Sequence, residues 1–212
     1  MLTLPSIEQI KMSQEETLWD HGNNILYDLC KSNFKHERAD VIITKVLFIG
    51  RIYAAALERR KNKESEDAST FYINMVVPAF KDSDLDNQLG KLAKIKVLSS
   101  ENIPVVLKTH NYLMKILKEV TGHNNRSFCS KYLHFHFPGL FFLYDSIASR
   151  NLKDFKSKVS IDLMEILKLK NIDLEYSKYF CRCFDFRNDI NRMYNTKLTT
   201  RQIDNLLLKV NF

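Results

Sequence analysis

Asp145 closes the run "FPGLFFLYDS", in which aromatic and aliphatic residues lead up to a single carboxylate, and "SIASRNL" follows with helical character. A carboxylate delivered there can serve in two ways. It can cap a helix by accepting from first-turn amides, or it can stabilise positive charge and activate water in a pocket. Upstream, "GHNNR" reads as a tight turn between two helical segments. At such a turn the backbone N–H groups of the second helix point outward and its dipole adds positive potential, so a phosphate can dock without any particular side chain. Gly122, Asn124 and Asn125 would form that turn, and Arg126 and Lys131 would add charge beside it. The chemistry to look for is a carboxylate working next to a phosphate clamp.

These residues need helices to position them. Five glycines and four prolines in 212 residues leave few β-turns, which points to an all-α chain joined by polar loops. Ser13 and Glu16 stand at capping-box spacing ahead of a stripe formed by Leu18, Ile25, Leu26 and Leu29. "ADVIITKVLFIGRIYAAALERRKNK" predicts one long central helix, with Ala54 to Ala56 marking a close backbone approach. A charged loop follows over 61–69, then a short helix stopped before Pro78 and another over "SDLDNQLGKLAKIKVLSS". A helix from Val105 to Val120 ends at Gly122 and the next begins near Ser127, giving a helix-hairpin-helix near 105–137. "SIDLMEILKLK", "LEYSKYFCRCFDFRNDINRMY" and "TRQIDNLLLKV" complete the series, the last capped by Thr199 or Thr200. The expectation is a single compact all-α domain over 1–212, divisible into lobes 1–98 and 99–212.

Composition narrows the partner. Hydrophobic residues make up 45% of the chain, enough for a sizeable core, and the formal charge of +7 favours a polyanion such as nucleic acid. No stretch approaches the roughly 20 apolar residues that cross a bilayer. The N-terminus lacks the pattern of a signal peptide, and Cys30, Cys129, Cys181 and Cys183 lie among apolar neighbours, as buried free thiols of a cytoplasmic protein would. Other constellations carry less. Arg51 and Glu58 share a helix face and would line a cleft or form an internal ion pair. His134 with His136, and Cys181 with Cys183, stand two apart, on opposite sides of a helix, so no metal is expected. No phosphate-binding loop, dinucleotide fingerprint or HExxH is present, and no cofactor is implied. Cys129 and His134 lack a third residue to orient a nucleophilic pair.

The order glycine turn, basic residue, helix, Pro138, Phe141 and Asp145 resembles the helix-hairpin-helix DNA glycosylases of base excision. The likeness is confined to this stretch, with Asn124 in place of the family's second turn glycine and Phe128 where it has a small residue. The strings "GRIYAAALERR" and "SKYLHFHFPGLFFLYDS" are also similar to a family of small bacterial proteins without assigned function. The first resemblance implies that the hairpin grips a DNA backbone and that Asp145 is the catalytic aspartate. Arg126 would then occupy the position of the Schiff-base lysine of bifunctional members. Hydrolysis of an N-glycosidic bond develops positive charge on the sugar, which a carboxylate stabilises, after the base has been extruded into an aromatic pocket. Trp19, Tyr132, Phe141, Phe142 and Tyr144 are the candidates to line that pocket. The alternative is a non-catalytic helical module that binds nucleic acid or a protein partner, with Asp145 a helix cap alone.

Overall fold

The computed structural model describes residues 4–60 and 67–209. These residues form an all-α fold: α1 (Ile7–Gln14), α2 (Leu18–Ser32), α3 (Ala39–Ile52), α4 (Ala68–Phe71), α5 (Val77–Lys81), α6 (Leu85–Leu92), α7 (Ile103–Thr121), α8 (Arg126–His136), α9 (Ser146–Asp154), α10 (Ile161–Met164), α11 (Leu174–Tyr194) and α12 (Thr200–Lys209). Buried side chains from Ile10 to Leu207 make one contiguous core. No described helix is long and apolar enough to cross a membrane.

Helix α8 organises the interior. Phe128, Cys129, Tyr132, Leu133 and Phe135 are buried along it, and α2, α3 and α7 pack around it. Such a helix must satisfy its polar groups internally. Tyr132 reaches Nε2 of His36 at 2.6 Å, and His36 Nδ1 lies 2.5 Å from Asp86. His134 bridges the Tyr27 hydroxyl and the Phe141 carbonyl, each at 2.8 Å. The "FFLY" run then crosses the core without helical hydrogen bonds. Tyr176 and Tyr179 on α11 satisfy its carbonyls at Phe142 and Leu143, which fixes where Asp145 emerges.

Several boundaries differ from the sequence expectation. The cap of α2 is the pair Thr17 and Asp20 rather than Ser13 and Glu16, and Ser6 with Gln9 caps a separate α1. The central helix stops at Ile52: Ala55 donates to the Gly50 carbonyl at 2.7 Å, Ala54 takes a left-handed φ of 52°, and a 3-10 turn follows at Leu57–Arg60. Gly50 permits this reversal, since a Cβ there would lie 3.1 Å from the Ala56 Cα. The close backbone approach expected of the alanine run is thus made by its own chain. Pro78 does not end a helix but lies within one. A π-helical segment, Tyr72–Val76, precedes it, closed by the Val77 N–H bonding five residues back to the Tyr72 carbonyl. Residues 61–66 of the expected charged loop lie outside the described residues.

Candidate functional site

Helix α7 ends at Gly122, whose φ of 73° is the left-handed C-terminal geometry, and its N–H returns to the Lys118 carbonyl at 2.8 Å. Asn125 stands before α8 but does not cap it with its side chain. Its amide turns inward instead, donating to Thr121 Oγ1 at 2.7 Å and to the His123 carbonyl at 2.9 Å. The hairpin is locked by this buried residue, whose side chain accepts from none of the first-turn amides of α8. In front of that turn lies a cavity of about 170 Å³ lined by Ala54–Ala56, Arg59, Asn125, Ser127 and Phe128. Gly122 and Asn124 are exposed on the turn.

The two basic residues expected to clamp phosphate do other work. Arg126 is turned onto α11, where its Nε lies 2.5 Å and its Nη2 3.0 Å from the Asp173 carboxylate, with Glu175 2.8 Å from Nη1. Two carboxylates already neutralise it, and its bond to Asp173 holds its pKa above the ordinary arginine value. Burial would raise the carboxyl of Asp173, but the hydrogen bonds from Arg126 and the Tyr176 amide prevail and keep it low. Lys131 is not on the surface. It is 95% buried, and its ammonium donates to Ser127 Oγ at 2.9 Å and to the Tyr53 carbonyl at 3.1 Å. Burial lowers its pKa, against the opposing pull of Asp145 and Asp204.

Asp145 has extended backbone angles and caps α9, its Oδ1 accepting from the Ile147 amide at 2.8 Å. Its other oxygen lies 3.8 Å from the Lys131 ammonium. The side chain is one-third exposed and opens into a cavity of about 290 Å³, lined by Trp19, Ile52, Tyr53, Lys131, Leu143, Asp145, Arg201, Asp204 and Leu208. The cavity is near the lower end of the range for small-molecule sites and offers room for one compact group such as a base with its sugar. Lys131 Nζ and Arg201 Cζ each lie 5.8 Å from the centroid of the Tyr53 ring, and burial pushes the phenol of Tyr53 up to about 12.

Of the aromatic candidates, Trp19 belongs to this cavity; it is 69% exposed at its mouth. Tyr132 does not, being fully buried on the far side of α8 against His36. Phe141 and Phe142 are core residues. Tyr144 faces a neighbouring groove of about 640 Å³, with Lys153, Lys158 and Lys178 around it, and its hydroxyl donates to Glu175 at 2.5 Å. Arg51 and Glu58 pair at 3.0 Å, outside the Asp145 cavity, and Glu58 also accepts from the Tyr72 hydroxyl. Cys129 is sealed in the core, where burial raises its thiol well above the usual value. Among the described residues no group of three His, Cys, Asp or Glu side chains could hold a metal ion.

The sequence reading missed Arg201 and Asp204. They form an i,i+3 pair on α12, Nη1 to Oδ2 at 3.0 Å, and Asp204 is 96% buried in the cavity wall. Burial pushes its carboxyl up to about 6 despite the attraction of Arg201 and Lys131. In sequence the pair reads as an ordinary rung of an amphipathic helix, and only the packing of α12 on α9 brings it to Asp145.

The chain matches no family model, and no curated protein or solved structure is significantly similar to it.

Proposed function

We propose that the protein binds nucleic acid, most simply DNA, and hydrolyses the N-glycosidic bond of a nucleotide lodged in the Asp145 cavity. One observation carries this reading: the Lys131 ammonium spans from Ser127 in the first turn of α8 to Asp145 in the cavity. A backbone phosphate held by the first-turn amides, with exposed Arg59 beside them, would place its own or an adjacent nucleotide at the carboxylate. Asp145 sits at the positive end of α9, next to a buried cation, and the oxygen that the cap does not use would stabilise the charge developing on an oxocarbenium-like sugar. Trp19 and Tyr53 supply the aromatic walls that receive an unstacked base.

Arg126 is guanidinium rather than amine and is engaged by two carboxylates, so it forms no Schiff base. Water is the attacking group and the activity is monofunctional. Borohydride trapping of a protein–DNA adduct would contradict this and transfer the attack to Lys131.

Capping of Ile147 by Asp145 favours a second reading, a binding module in which the carboxylate only ends a helix. One pair of variants separates the two. Asn caps nearly as well as Asp, so Asp145→Asn should leave the melting temperature close to wild type, whereas Asp145→Ala should cost about 1 kcal/mol. Under the hydrolytic reading Asp145→Asn loses base release by about 100-fold or more while still binding DNA. Equal release by wild type and Asp145→Asn rejects catalysis by Asp145.

A further inference from the structure

The cavity contains a second carboxylate that the resemblance does not call for. Asp204 lies on α12, far from Asp145 in sequence, yet both line the same space with Lys131 and Arg201. Their surroundings are unlike. Asp145 is partly open to solvent and accepts a backbone hydrogen bond. Asp204 is enclosed, and its carboxylate accepts from the Arg201 guanidinium. Two carboxyl groups held in contrasting environments in one cleft is the arrangement in which one acts as acid while the other bears or stabilises charge.

Resting on the hydrolytic reading above, we propose that Asp204 is the proton donor to the departing base, and that the base is a neutral purine. The C1′–N bond breaks and its electron pair stays on the base. The Asp204 O–H proton goes to a basic ring nitrogen of the purine, so that the base leaves neutral. Water adds to C1′ and gives its proton to Asp145, and exchange with solvent restores both carboxyl groups. A purine needs this help because its anion is a poor leaving group and its ring nitrogens are basic. A pyrimidine such as uracil, whose anion is stabilised by two carbonyls, needs it less. Arg201 positions Asp204 by holding Oδ2 at 3.0 Å.

The proton is available because burial holds the Asp204 carboxyl near 6. The groups facing it are Lys131 on α8, Asp145 before α9, Arg201 on its own helix, Tyr27 on α2, Tyr53 after α3, and Tyr179 and Cys183 on α11. Of these, Lys131 and Arg201 favour ionisation and Asp145 opposes it.

The test uses the full chain and two duplex oligonucleotides, one with a single hypoxanthine and one with a single 7-methylguanine. The second base is already cationic and leaves neutral without a proton. Asp204→Asn should slow hypoxanthine release by about 100-fold or more, the usual worth of a general acid, while 7-methylguanine release stays within about threefold of wild type. For the wild type, hypoxanthine release should fall as pH rises through about 6, and 7-methylguanine release should lack that limb. The wild-type profiles need no variant and stand even where Asp204→Asn folds poorly. Equal losses on both substrates, or identical pH limbs, overturn the proton-donor role and leave the hydrolytic reading intact. No release of either base by the wild type overturns both.

Discussion

At the scale of single residues, the two carboxylates differ in how visible they were. Asp145 stood out because it ends an apolar run at a helix start, a position where any carboxylate must do something. Asp204 was hidden because "RQID" reads as a surface ion pair; its burial depends on α12 packing on α9 and α1, which no local pattern encodes. That burial gives Asp204 a signature in stability. Its folded pKa, about 6, lies above the unfolded value near 3.8, so the fold favours the protonated acid. The stabilisation is complete below pH 4 and is lost as pH rises through 6, on the order of 3 kcal/mol in all. Asp204→Asn cannot titrate. The stability of wild type relative to Asp204→Asn should therefore fall as pH rises from about 6, the acid edge of the fold, to about 7, as read from urea midpoints. A difference that does not change with pH would mean that Asp204 is paired as an ordinary carboxylate.

Among the elements, the turn after α3 builds the cavity. By stopping at Ile52 the chain brings Ile52 and Tyr53 to the cavity wall and leaves the Tyr53 carbonyl to receive Lys131. The apolar periodicity continued past this point, and so the sequence predicted one long helix. The cue that was present, Gly50 ahead of three alanines, signalled close packing without saying that the partner was the same chain. The hairpin was legible for the opposite reason: Gly122 requires a left-handed φ, and the apolar stripes stop and restart around it. Its basic residues were not, since Arg126 and Lys131 read as surface charges until α11 and Asp145 were seen to claim them. Gly50→Ala places a methyl 3.1 Å from the Ala56 Cα. Backbone cannot yield as a side-chain tip can, so the substitution should cost about 1–3 kcal/mol and displace Tyr53. Loss of stability with the tryptophan emission of Trp19 unchanged would show that the cavity does not depend on this turn.

Over the whole molecule, the buried histidines act against Asp204. Burial lowers His36, His110 and His134 to about 4 and His136 further, so the fold holds all of them neutral. A depressed folded pKa contributes stability that is present above the unfolded value near 6.5 and is lost as pH falls through the folded one. For each of the first three this is on the order of 3 kcal/mol, against one similar term of opposite sign from Asp204. Native domains have about 5–15 kcal/mol to lose, and a chain with a formal charge of +7 at pH 7 gains further positive self-repulsion in acid. The histidines should therefore prevail: far-UV circular dichroism should show cooperative unfolding between about pH 6 and pH 4, within the window these shifts define. A fold that persists unchanged to pH 4 would mean that the histidines are less isolated from water than their packing implies. The same balance limits the chemistry. Protonation of Asp204 favours base release as pH falls toward 6, and the histidines dismantle the fold just below it, so hypoxanthine release should peak near pH 6 with an acid limb set by unfolding.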